Sequence, residues 1–99
     1  MTARGSRLAA VLFADVVGYS DLSSTDEASA LRLIREFQEA CEAEVSRYGG
    51  RVVKFLGDGA MAEFGSGRAA VAAAGALHEA FDHPLHVGIH VGDVESSDG

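Results

Sequence analysis

Asp15 and Asp58 are the residues best placed to do chemistry. Asp15 ends the apolar run Leu8-Ala9-Ala10-Val11-Leu12-Phe13-Ala14, and Asp58 follows the run Arg51-Val52-Val53-Lys54-Phe55-Leu56 after one glycine. A strand–helix–strand crossover makes two such strands parallel. If they are neighbours, both aspartates come to one edge of a sheet. Two carboxylates at short range repel and do not both stay ionised without a cation. The fitting occupant is a hard, oxygen-seeking divalent ion, Mg²⁺ or Mn²⁺. Two such ions suit phosphoryl or nucleotidyl transfer. Taken singly, Asp15 reads as a helix cap and Asp58 as the first residue of an Asp-Gly turn; the pairing on one edge is what points to metal.

Other residues add to or subtract from this picture. Gly18 lies between Asp15 and a helix start, where a missing side chain lets a phosphate approach the backbone amides of Val17, Gly18, Tyr19 and Ser20. Taken alone, it is an ordinary turn glycine. Lys54 is the single lysine. It shares a strand face with Val52 and Leu56 on period-two spacing, as a snorkelling side chain or a functional one. His86 and His90 are about 13 Å apart at strand rise, too far for one metal, and read as packing or polar-face residues. His78 and His83 show no ligand spacing. Cys41 falls on a helix stripe and reads as core. Tyr19 reads as an aromatic wedge. No Ser-His-Asp or zinc pattern occurs.

The elements that must position these residues follow from the pattern. Residues 8–14 suit a central strand buried on both faces. Val16 to Asp21 read as a turn leading to a helix. Ser24 and Glu27 form a capping box. Behind them Leu31, Ile34, Phe37, Cys41, Val45 and Tyr48 make one stripe of a long amphipathic helix. Arg32–Glu36 and Arg35–Glu39 pair on its wet side. Gly49-Gly50 stops it. Two strands joined at Asp58-Gly59 predict a hairpin. Ser66 caps an alanine-rich helix running to about Phe81, in which Gly75 marks a close approach to the sheet. Leu85, Val87, Ile89 and Val91 alternate with smaller or polar residues as a last strand, and Asp93 onward reads as a polar tail. The order β-α-β-β-α-β is that of a ferredoxin-like split βαβ unit, an α/β (α+β) fold with both helices on one face of an antiparallel sheet.

Composition bounds the rest. Ninety-nine residues make at most one domain, and 47% hydrophobic with 23% charged residues is globular composition. A net charge of −7 with scattered arginines argues against nucleic-acid and anionic-membrane partners. No apolar run reaches the ~18 residues of a membrane span. One cysteine makes no internal disulfide, so a cytoplasmic setting is expected.

Phe13-Ala14-Asp15-Val16-Val17-Gly18-Tyr19-Ser20 resembles the first metal-binding motif of class III adenylate/guanylate cyclases. Gly49 to Met61, with Lys54-Phe55-Leu56-Gly57-Asp58 at its centre, resembles their second, K-x-x-G-D. Val87-Gly88-Ile89-His90-Val91-Gly92-Asp93-Val94 resembles their G-I-H-x-G-x-V strand. The resemblance covers residues 8–94, with residues 1–7 as an N-terminal arm and 8–99 as the partial domain. It implies that Asp15, Asp58 and the Val16 carbonyl hold two Mg²⁺ or Mn²⁺ ions per site. It implies that amides around Gly18 to Ser20 cradle phosphates, that Lys54 reads the purine of ATP, and that the site forms in a homodimer or with another cyclase domain. The family's domain runs to roughly twice this length. Its next segment carries a second purine-reading residue and a transition-state Asn and Arg, none of which has a counterpart here. The expectation is therefore the N-terminal half of an adenylate cyclase domain, inactive alone. The alternative is a non-catalytic cyclase-like dimerisation or nucleotide-binding module.

Overall fold

The computed structural model describes residues 6–95. The elements are β1 (Ser6–Val16), α1 (Tyr19–Thr25), α2 (Glu27–Arg47), β2 (Arg51–Leu56), β3 (Gly59–Phe64), α3 (Gly67–Ala80) and β4 (Leu85–Glu95). The strands form one antiparallel sheet in the order β2-β3-β1-β4. This is the expected mixed α and β fold with one added short helix, α1. β1 and β2 run parallel, but β3 lies between them, so they are not neighbours. Among the described residues no helix is long and apolar enough to cross a membrane.

Several local expectations are corrected. Ser24 lies inside α1 and donates its hydroxyl to the Asp21 carbonyl at 3.0 Å, so it caps nothing. Asp26 is the cap of α2: its carboxylate accepts from the Ser29 amide at 3.1 Å and the Ser29 hydroxyl at 2.7 Å. Those two bonds, the hydroxyl's first, hold the Asp26 carboxyl below the usual carboxylate range. Arg32 donates to Ser29 at 3.0 Å rather than pairing with Glu36. The far end of α2 closes as expected, with the Gly50 amide donating to the Val45 carbonyl at 2.9 Å. The Ser66 hydroxyl caps α3 by accepting from the Ala69 amide at 3.1 Å.

α2 buries Ala30, Phe37, Cys41 and Val45; Leu31 lies off that stripe and is exposed. Phe37 meets Phe81 edge to face at 5.7 Å, an arrangement favoured by the ring quadrupoles. Burial pushes the Cys41 thiol up to about 12, as suits an inert core residue. α3 buries Leu77 together with Ala70 and Ala73, whose small side chains let the helix lie close on the sheet. Gly75 is not the point of approach, since a methyl group there would meet nothing within 4 Å.

The helices pack against one face of the sheet only. Ala10, Leu12, Ala14, Val16, Ala62 and Phe64 are buried beneath them. Phe13, between them in sequence, points the other way and is 47% exposed, so β1 is central in the sheet but covered on one face. In β2 the register shifts between Val52 and Lys54. That irregularity breaks the two-residue alternation. Val52 and Phe55 pack against the core, whereas Lys54 pairs with Met61 on the open face. Lys54 therefore does not share a face with Val52. Two boundaries also move. Ser6 and Arg7 belong to β1 rather than to an arm, and β4 runs on through Asp93 to Glu95, where a tail was expected. The rest of the arm and of the tail, residues 1–5 and 96–99, lies outside the described residues.

Candidate functional site

β1 delivers Asp15 to the edge of the sheet, opposite Gly59 at the start of β3. The pair Leu56 and Gly59 brackets a two-residue turn, Gly57-Asp58. Gly57 takes φ 59, a left-handed value that favours glycine at the first central position of such a hairpin. The turn is thus centred one residue before the Asp58-Gly59 pair expected from sequence. Gly59 matters for a different reason. A side-chain carbon there would stand 3.2 Å from the Ala14 carbonyl oxygen and 3.5 Å from the Asp15 β-carbon. Its absence lets the hairpin close tightly on β1. The Val16 amide then donates to the Asp58 carbonyl at 3.0 Å. The two aspartates do share one sheet edge, but through the β2–β3 turn and not through pairing of β1 with β2.

The Asp15 side chain is 53% exposed and lies 3.4 Å from His86 Nδ1, across the β1–β4 ladder. His86, read from sequence as a packing or polar-face residue, lies on the open polar face and flanks the carboxylate. Among the described residues, neither Asp15 nor Asp58 pairs with an Arg or Lys. No described group of three or more His, Cys, Asp or Glu side chains could hold a metal. Two carboxylates on one open edge still fit Mg²⁺ or Mn²⁺. Mg²⁺ in particular binds through one or two carboxylates and fills its shell with water and substrate phosphate.

Next to Asp15, Gly18 takes φ 76 at the start of α1, and its carbonyl accepts from the Leu22 amide at 3.1 Å. The amides before that bond have no partner within the helix. Val17 leaves the set of amides expected to face a phosphate, because its N–H is given to the Pro84 carbonyl at 3.1 Å. Gly18, Tyr19 and Ser20 remain. Tyr19 is partly buried against the core, as a wedge should be.

Lys54 stands on the same open face as Asp15 but is separated from β1 by β3, in the row Lys54–Met61–Phe13–Gly88. The structure does not bring it against Asp15 or Asp58 within one chain. Further along that face Glu63 accepts from Arg7 at 3.0 Å and from Arg51 at 3.2 Å. These bonds, Arg7's first, hold its carboxyl below the usual range. Sequence reasoning missed His83, whose Nε2 lies 2.8 Å from the Val17 carbonyl, and the His86 contact. The register of β4 against β1 was the only signal that could have shown the latter.

No family model matches the sequence. A protein of Rhizobium meliloti (strain 1021) named "Putative adenylate cyclase 3" is 44% identical over 93% of this chain. The chain belongs to the class III adenylate/guanylate cyclase family. It spans only 18% of that relative's length. The adenylate/guanylate cyclase/hydrolase from Silicibacter pomeroyi is 30% identical, with a TM-score of 0.78 over 95% of this cyclase domain and 62% of that chain. The guanylate cyclase domain of a Catenaria anguillulae protein, solved in complex with GTP, shares the fold: 18% identity, TM-score 0.79, 94% of this chain and 61% of that one.

Proposed function

We propose that this cyclase domain supplies the metal and phosphate side of a site that converts ATP to cyclic AMP and pyrophosphate. The observation that carries the reading is the Val16–Asp58 hydrogen bond, 3.0 Å long, which ties the two aspartate loops together at one edge of the open face. Asp15, Asp58 and the Val16 carbonyl hold divalent metal, Mg²⁺ or Mn²⁺, two ions per site. Held by these residues, divalent metal would supply Lewis-acid chemistry, activating the ribose 3′-hydroxyl and offsetting triphosphate charge. The amides of Gly18, Tyr19 and Ser20 orient the phosphates. Lys54 donates to the adenine ring, which favours ATP. Its separation from Asp15 by β3 fits a lysine that serves the site of a second cyclase domain packed on the open face. Such packing, in a homodimer or with another cyclase domain, also covers Phe13 and Leu56, exposed at 47% and 51%. A cytoplasmic setting suits the single buried thiol.

The test is Mn²⁺-dependent formation of cyclic AMP from ATP by the wild-type chain and by Asp58→Ala. The variant should lose at least ~100-fold, since even supporting contacts of a metal site cost 10–100-fold. If the chain alone turns nothing over, Mn²⁺-dependent ATP binding takes the place of turnover and should be lost in the same variant. Product or nucleotide binding indifferent to both Mn²⁺ and Asp58 contradicts the reading.

A further inference from the structure

Three consecutive peptide planes of the Asp15–Gly18 turn are each fixed by one hydrogen bond from outside it. The Val16 N–H reaches the Asp58 carbonyl at 3.0 Å and the Val17 N–H reaches the Pro84 carbonyl at 3.1 Å. The Val17 carbonyl is met by His83 Nε2 at 2.8 Å. Among the described residues there are no cis peptides, so in each plane N–H and C=O point in opposite directions. The second bond therefore aims the Val16 carbonyl away from Pro84. The third aims the Gly18 N–H away from His83. The first two bonds are backbone to backbone and do not depend on a side chain. The third does. It also holds the plane with most freedom to turn, because Gly18 at φ 76 carries no side chain to resist a flip.

His83 is built to hold that bond. Its ring packs against Phe81 at 5.9 Å, and Phe81 is itself buried against Phe37. The His83 amide donates to the Phe81 carbonyl at 3.0 Å, closing the α3–β4 loop. Pro84, next in sequence, has a ring-fixed φ and presents the carbonyl that takes the Val17 N–H. One short loop thus grips the turn through both polar atoms of Val17. A carbonyl oxygen only accepts, so the proton lies on Nε2.

We propose that His83 is a positioning residue of this site: by holding the Val17 carbonyl it sets the direction of the Gly18 amide and steadies the turn that carries Asp15 and the Val16 carbonyl. The inference rests on the reading of Asp15 and Asp58 as a metal site. It assigns His83 no contact with metal or nucleotide.

The experiment compares wild type, His83→Gln, which keeps an N–H donor, and His83→Leu, which has none. Mn²⁺ affinity is read from free Mn²⁺ by electron paramagnetic resonance, and hydrogen exchange of the Val17 amide by NMR. Ser66→Ala, which removes a helix cap away from the turn, controls for general loss of stability. His83→Leu should weaken Mn²⁺ binding by about 10-fold, as loss of an orienting partner does, and speed exchange at Val17 relative to β1 core amides. His83→Gln should stay within about twofold of wild type, and Ser66→Ala should bind Mn²⁺ normally. Wild-type affinity in His83→Leu, or equal losses in the Gln and Leu variants, overturns the inference. Asp58→Ala separates the two claims. If it binds Mn²⁺ as wild type does, or if wild type shows no saturable binding, the metal-site reading fails and takes this inference with it.

Discussion

On the face that α2 and α3 cover, β1 and β3 present Ala10, Leu12, Ala14, Ala60, Ala62 and Phe64, every one buried. On the other face the same two strands present Val11, Phe13, Asp15, Met61 and Glu63. The first set has no polar atom and fits beneath two helices. The second is mixed, partly solvated, and contains both ends of the polar chemistry: Asp15 at one edge and the Arg7–Glu63–Arg51 cluster further along. Alternation in a strand makes this division possible, because neighbouring residues answer to different environments. The covered face carries the core, and the open face carries the polar groups on which the proposed function rests.

That separation can be broken from either side. Phe37 anchors the covered face, and Phe37→Ala should cost about 3–5 kcal/mol of unfolding free energy in urea. A loss under about 1 kcal/mol would mean the core is not seated where Phe37 meets Phe81. On the open face, Lys54→Glu should leave the urea midpoint unchanged and weaken ATP relative to GTP by about 10-fold, a difference of ~1.4 kcal/mol. Unchanged nucleotide preference removes Lys54 from purine recognition.

Within the open face, the Arg7–Glu63–Arg51 cluster has a small, pH-dependent effect on stability. The Glu63 carboxyl is held below its ordinary value of 4.5 by its bonds to Arg7 and Arg51. A depressed carboxyl stabilises the fold above the unfolded pKa, and the gain fades as pH falls through the folded one. The stability difference between wild type and Glu63→Gln should therefore be constant above pH ~5 and shrink as the pH drops below 4.5. Thermal unfolding of both proteins across that range reads it, and a difference that grows on acidification contradicts it.

Much of this was legible in sequence because apolar runs that stop at a charge are hard to misread. The strands ending near Asp15 and Asp58, the long α2, the Ser66 cap and the alternating β4 all follow from periodicity. What was lost depended on pairing. The condition under which β1 and β2 would bring the aspartates together, that the two strands be neighbours, is not met, because the hairpin brings β3 back between them. The two aspartate loops come to one sheet edge anyway, since the turn itself reaches β1 through the Val16–Asp58 backbone bond. Ser24 and Glu27 had capping spacing, yet α1 uses Ser24 internally and Asp26 takes the cap. The irregularity at Val52–Lys54 has no signal in a run of similar residues, so the periodicity put Lys54 on the face of Val52, which it does not share. His83 and His86 reach Val17 and Asp15 by contacts that only the folded register creates.

The placement of Mn²⁺ on the chain tests the metal site at Asp15 and Asp58. In a ¹⁵N-labelled chain, trace Mn²⁺ should broaden the amide signals of residues 15–20 and 57–59 first, and Asp15→Ala or Asp58→Ala should abolish that selectivity. Broadening centred instead on the acidic outer face of α2, around Glu36, Glu39 and Glu42, and unchanged in both variants, would contradict it.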